Sequence, residues 1–225
     1  MPLIYHKHLP KGGEIGLWQV EETEEYFLDH LELFPSEVKH LAAIKGRLRL
    51  EWLASRWLLH LMSGRNLRGA CLKDEYGKPY LTDSDFEISI SHSWDIVAIM
   101  AAPYAIGIDI QREVHKITRI EQKFMRPVEK ESLVEATKIP HLHIYWAAKE
   151  ALYKAYGRKM LGFVRHIHVD PFEYDLSIGK TTAAIHKEEY HAYYDLFYEK
   201  VSSVFMGYVV PKLVGSRQWA VGSRQ

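Results

Sequence analysis

Asp109 and Gln111 lie in Ile106-Gly107-Ile108-Asp109-Ile110-Gln111, where apolar and polar residues alternate. On a strand, successive side chains point to opposite faces, so Gly107, Asp109 and Gln111 share one face and the isoleucines the other. A carboxylate among apolar runs is costly to bury unless something pairs with it. Two readings stand for Asp109: a metal ligand, or a strand-end aspartate facing water, which is the commoner fate of the residue type. A second set lies in Trp146-Ala147-Ala148-Lys149-Glu150-Ala151-Leu152-Tyr153-Lys154. At 3.6 residues per turn, Trp146, Glu150 and Lys154 line one ridge of a helix. Alone, Glu150 and Lys154 make an ordinary surface pair contributing about 0.3–0.5 kcal/mol. Magnesium offers a second reading, because it takes one or two protein carboxylates and completes its shell with water and phosphate oxygens. Asp109 and Glu150 suit it if the fold brings them together, and Lys154 could then meet charge on a phosphate leaving group.

Ser91-His92-Ser93 follows the alternating run Phe86–Ile90. Two hydroxyls flanking an imidazole could hold a phosphate, or could form a turn with local side-chain-to-backbone bonds. Lys45, Arg47, Arg49, Arg56 and Lys78 supply cations. They read either as a solvated helix face or as a polyanion clamp, where arginine gives bidentate phosphate bonds.

The elements that must position these groups follow from periodicity. Glu14–Val20 reads as a strand. From Pro35, Leu41, Ile44, Leu48, Trp52, Ser55, Leu59 and Met62 recur at helical spacing up to Gly64, with a weak point at Gly46. Tyr76-Gly77-Lys78-Pro79 marks a turn. Phe86–Ile90, Ile96–Ala101 and Ile106–Gln111 predict three strands, with short connections that suggest an antiparallel meander. Helices are expected from Arg119 to Ala136 and from His143 to Gly157. Strands are expected at His166–Val169, Thr181–His186, Ala192–Tyr198 and Val204–Val210. The repeated Gly-Ser-Arg-Gln at 215–218 and 222–225 reads as a frayed terminus.

The chain has 225 residues, 47% hydrophobic and 26% charged, as in ordinary globular proteins. Its 29 Lys+Arg balance 29 Asp+Glu, leaving no global basic field, which argues against nucleic acid as a partner. One cysteine, Cys71, cannot make an internal disulfide. No signal peptide is visible, and the longest apolar stretch, Ile96–Ile108, contains Pro103 and is too short to span a membrane. These features predict a soluble cytoplasmic protein without membrane partners.

In order, Gly77-Lys78-Pro79, Ile90-Ser91-His92-Ser93, Ile106-Gly107-Ile108-Asp109-Ile110 and Trp146-x-x-Lys149-Glu150-Ala151-x-x-Lys154 resemble the motif series of the 4′-phosphopantetheinyl transferases. The likeness is to the larger monomeric type, and it covers about half the chain, from about Arg47 to Gly162. It implies an α+β fold of two similar lobes, residues 1–103 and 104–225, each a small antiparallel sheet with a long helix, arranged as a pseudo-dimer. Their interface would hold the active site. The implied reaction moves the phosphopantetheine arm of coenzyme A to a serine of an apo acyl or peptidyl carrier protein, releasing 3′,5′-ADP with Mg²⁺ present. By motif position, Asp109 and Glu150 look like metal ligands and Lys154 like the group that neutralises the leaving phosphate. Ser91, His92, Lys78 and Arg47 resemble coenzyme A contacts. Glu129, in Phe124-Met125-Arg126-Pro127-Val128-Glu129, resembles a further acidic catalytic position, acting as base or metal-site helper. Gln111 stands where the family commonly has a second carboxylate, so it is expected to bind metal weakly or through water.

Two rivals remain. One is a catalytically weakened relative that binds coenzyme A or carrier protein without efficient transfer. The other is a zinc enzyme using His6/His8, His141/His143 or His166/His168, each pair spaced for one face of a strand. A catalytic zinc needs three protein ligands, and no third follows any of these pairs at a telling distance in the sequence.

Overall fold

The computed structural model describes residues 2–176 and 178–212, so the Gly-Ser-Arg-Gln tail lies outside the described residues. The chain divides into two units, Met1–Pro103 and Tyr104–Gln225.

In the first unit, β1 (Leu3–Leu9) and β2 (Gly13–Gln19) form a hairpin turning through Lys11 and Gly12, both at positive φ. Helix α1 (Glu24–His30) starts at Thr23, whose hydroxyl accepts from the Tyr26 amide, with Glu24 and Glu25 favouring the positive end of the helix dipole. The long helical stretch expected from Pro35 is two helices, α2 (Pro35–Ala43) and α3 (Arg47–Ser63). They part at Gly46, whose φ of 60° and ψ of −144° suit only glycine. Strands β3 (Cys71–Lys73), β4 (Pro79–Leu81), β5 (Glu87–Ser93) and β6 (Ile96–Ala102) complete an antiparallel sheet of order β1-β2-β6-β5-β4-β3. Helix α3 packs on β2 and β6, burying Leu53 and Leu58 with Trp18, Val97 and Ile99.

In the second unit, β7 (Gly107–Arg112) leads into short helical turns: a 3₁₀ turn at His115–Ile120, α4 (Glu121–Phe124), α5 (Pro127–Lys130) and a 3₁₀ turn at Glu135–Thr137. The continuous helix expected over 119–136 is therefore broken. Pro127 has no amide hydrogen and holds Arg126 extended, at φ −79° and ψ 155°. Helix α6 (Lys138–Tyr156) begins earlier than expected, because Pro140 sits in its first turn, where an amide would be unpaired anyway. Strands β8 (Ile167–Val169), β9 (Ile178–Lys187), β10 (Tyr190–Val201) and β11 (Val204–Pro211) follow, and the antiparallel order is β7-β11-β10-β9-β8. Each unit thus pairs a long helix with an antiparallel sheet, an α+β architecture.

The expected three-strand meander is corrected here. β5 and β6 pair, but β7 pairs with β11, from Gly107 opposite Val209 to Arg112 opposite Val204. Alternation specifies a strand and its faces but not its neighbour, and Pro103, which cannot donate to a ladder, separates β6 from β7.

His141 and His143 are also corrected, since they lie on α6 and not on a strand. Residues two apart on a helix do not face one another. The His141 ring sits among Tyr145, Phe172 and Tyr174, with centroids 4.5 to 5.7 Å away, and neither ring nitrogen has a hydrogen-bond partner among the described residues. Burial pushes its pKa down to about 4. The unfolded chain takes up this proton near the usual value of 6.5 while the folded chain resists it. The resulting stability is complete above about pH 6.5 and is lost as pH falls toward 4, amounting to about 3 kcal/mol. Urea unfolding of His141→Phe is expected to show a smaller drop between pH 7 and pH 4.5 than the parent, by roughly 2 kcal/mol. Equal drops would refute this account.

Candidate active site

Strand β7 and helix α6 approach closely because Gly107 has no side chain. A Cβ there would lie 1.8 Å from the Ala151 carbonyl oxygen. Gly207 on β11, paired with Asp109, is similarly near α6, its would-be Cβ 3.1 Å from the Ala148 nitrogen. The strand parity that sets Gly107 against the helix turns Asp109 toward it too, and Ile108 and Ile110 are buried.

Asp109 is 4% exposed, which rules out the water-facing reading. Its Oδ1 accepts from Lys154 Nζ at 2.7 Å, and its Oδ2 from Gln111 Nε2 at 2.6 Å. Lys154 Nζ also donates to the Ile108 carbonyl at 2.9 Å. Lys154 therefore reaches across to β7, so a simple Glu150–Lys154 surface pair does not describe it. Glu150, one turn before Lys154, has its pKa raised to about 7 by burial first and then by the Asp109 charge, against the opposing pull of Lys154. Asp109, Gln111, Glu150 and Lys154 thus form one cluster. Two carboxylates and an amide give it the oxygen donors a hard dication prefers, and the cost of ionising Glu150 beside Asp109 is one that such a cation would relieve.

Glu129 is not part of that cluster. It is fully buried: its Oε2 accepts from Lys149 Nζ and the Arg126 amide, both at 2.7 Å, and its Oε1 accepts from the Val169 amide at 3.1 Å. Lys149 is equally buried, and burial lowers its pKa to about 8 against the pull of Glu129. Through these bonds Glu129 ties α5, α6 and β8 together.

In the first unit, Arg47 and His92 meet on a residue that sequence reasoning missed. Glu51 Oε1 accepts from Arg47 Nε at 3.1 Å, and Glu51 Oε2 is 3.0 Å from His92 Nδ1. Glu51 is 8% exposed. The only signal for it was its position four residues after Arg47, a spacing that any helix surface shows. Arg47 also donates to the Trp94 carbonyl at 3.1 Å and lies over the Trp94 ring. Lys78 pairs with Glu87 at 2.5 Å, and its amide donates to Asp74 Oδ1 at 2.8 Å, which fixes the turn. Ser91 is buried on β5. Of the other basic residues, Arg49 pairs with Glu24, and Arg56 is buried against the Trp52 ring. His166 precedes β8 and its Nδ1 accepts from the Gly162 amide, so His166 and His168 do not share a strand face. No described helix is long and apolar enough to cross a membrane.

Residues 105–210 match the family model described as the 4′-phosphopantetheinyl transferase superfamily. The chain is similar to the 4′-phosphopantetheinyl transferase gsp of Aneurinibacillus migulanus, 28% identical over 141 residues, which are 61% of this chain and 56% of that protein. It is also similar to a 4′-phosphopantetheinyl transferase of Bacillus subtilis, 33% identical over 90 residues, covering 37% of this chain and 39% of that one. The chain therefore spans about half the length of the curated relatives it matches.

Proposed function

We propose, from the match of residues 105–210 to the model of the 4′-phosphopantetheinyl transferase superfamily, that this protein modifies carrier proteins. It transfers the phosphopantetheine arm of coenzyme A to a serine of an apo acyl or peptidyl carrier protein. The observation that carries this reading is the cluster of Asp109, Gln111, Glu150 and Lys154 where β7 meets α6.

Asp109 and Glu150 would hold Mg²⁺, with Gln111 as a weaker, uncharged helper. The ion, when bound, supplies charge neutralisation at the pyrophosphate. The chain's own groups do the rest. Glu150 takes the proton as the serine oxygen bonds to phosphorus. The phosphorus–oxygen bond to the 3′,5′-ADP leaving group breaks, and Lys154 Nζ offsets the charge that develops there. Arg47, Lys78, Ser91 and His92 serve coenzyme A, a polyanion that a chain without net charge must meet with local cations. The protein acts as a cytoplasmic monomer in this reading.

Incubation with coenzyme A, Mg²⁺ and a panel of apo carriers, followed by weighing the carrier, tests the proposal. The carrier should gain one phosphopantetheine, and Asp109→Ala should slow the gain by about 100-fold or more. No gain with any carrier, alongside retained coenzyme A binding, would favour the binding-only alternative. Gln111→Glu adds a third carboxylate and should lower the magnesium concentration needed for half-maximal transfer. An unchanged requirement would remove the idea of a weakened metal site.

A further inference from the structure

We propose that His6, His8 and Glu14 form a binding site for one transition-metal dication, zinc foremost, on the β1–β2 hairpin. His6 and His8 are two apart on β1 and share a face, and their ring centroids are 4.8 Å apart. The third ligand that sequence spacing fails to reveal comes from across the hairpin. Glu14 is the antiparallel partner of His8, so its side chain rises on the same face. His6 is opposite Gly16, and it leans diagonally to bring Nε2 within 2.7 Å of Glu14 Oε2.

One ligand atom from each of the three residues lies within 4.8 Å of the other two. Bonds of about 2.0–2.2 Å to a common zinc require the wider of these separations to close by roughly an ångström or more, while the 2.7 Å His6–Glu14 pair opens slightly. Both histidines are exposed and Glu14 is only partly covered, so side-chain rotation can supply that movement. Two imidazoles and one carboxylate select zinc, nickel or copper over magnesium and calcium, which prefer oxygen. Three protein ligands leave coordination positions for water or an exogenous ligand. The plain alternative is a surface ion pair of His6 and Glu14, in which His8 has no part.

The test is calorimetric titration of the metal-stripped full chain with zinc chloride in excess Mg²⁺, which saturates all-oxygen sites. One equivalent is expected to bind, with the affinity reduced at least tenfold in His8→Ala and in Glu14→Gln. His186→Ala, which disrupts the separate imidazole cluster of His168, His186 and His191, should leave binding unchanged. Amide shifts in a two-dimensional NMR titration should centre on β1 and β2. Full-affinity binding in His8→Ala, loss of binding in His186→Ala, or no binding at millimolar zinc would each overturn the proposal.

Discussion

Lys149→Ala is expected to destabilise the protein by roughly 3–5 kcal/mol at pH 7, measured by urea unfolding. Lys149 and Glu129 are both fully buried, with 2.7 Å between Nζ and Oε2. A buried pair gains little over an apolar replacement of both partners, but removing one partner strands the other charge. Glu129 cannot simply turn to water, since the Arg126 and Val169 amides donate to its two oxygens. Its cheapest escape is to bind a proton, so the variant's Glu129 takes a raised pKa. A group with a raised folded pKa contributes stability that is lost as pH rises. The deficit of Lys149→Ala should therefore shrink when unfolding is measured at pH 5 and widen at pH 8. A deficit below about 1 kcal/mol, or one indifferent to pH, would show that the pair is not what holds α5, α6 and β8 together.

What could be read from the sequence follows the range of the interactions involved. The shared face of Gly107, Asp109 and Gln111, and the ridge from Glu150 to Lys154, are consequences of local periodicity, and the structure keeps both. The partner of Lys154 could not be read that way. An i,i+4 spacing suggests Glu150, but the ammonium bonds to Asp109, 45 residues away, because helix and strand are in near contact. Glu129 likewise has partners that no local spacing encodes, Lys149 and the amide of Val169. Strand β1 escaped notice because it is an edge strand whose residues are mostly exposed, so its sequence carries no apolar alternation. Strands β3 and β4, at three residues each, are too short to show any period. β7 was recognisable as a strand, but its place beside β11 depends on a pairing partner about a hundred residues away, which no local pattern encodes.

Gly107→Ala joins stability to the candidate site, and both are expected to fall. The added Cβ would lie 1.8 Å from the Ala151 carbonyl oxygen, 2.7 Å from its carbon and 3.0 Å from the Ala155 nitrogen. All three are backbone atoms of α6, so no side chain can swing aside, and the helix itself must retreat from β7. Overpacking of this kind costs about 3 kcal/mol or more where the backbone is the obstacle. The retreat also pulls Lys154, which lies between the two colliding residues Ala151 and Ala155, away from Asp109, and a 2.7 Å bond does not survive a displacement of an ångström. On the proposed reading, carrier modification should fall by about 100-fold, the scale expected for misplacement of that size. Gly207→Ala is the matched comparison, since its Cβ would stop 3.1 Å from the Ala148 nitrogen and needs only a few tenths of an ångström of relief. It should cost under about 2 kcal/mol and leave transfer within about tenfold of the parent. If Gly107→Ala unfolds at the parent's urea midpoint and modifies carrier at the parent's rate, close approach of β7 and α6 is not what assembles Asp109, Glu150 and Lys154.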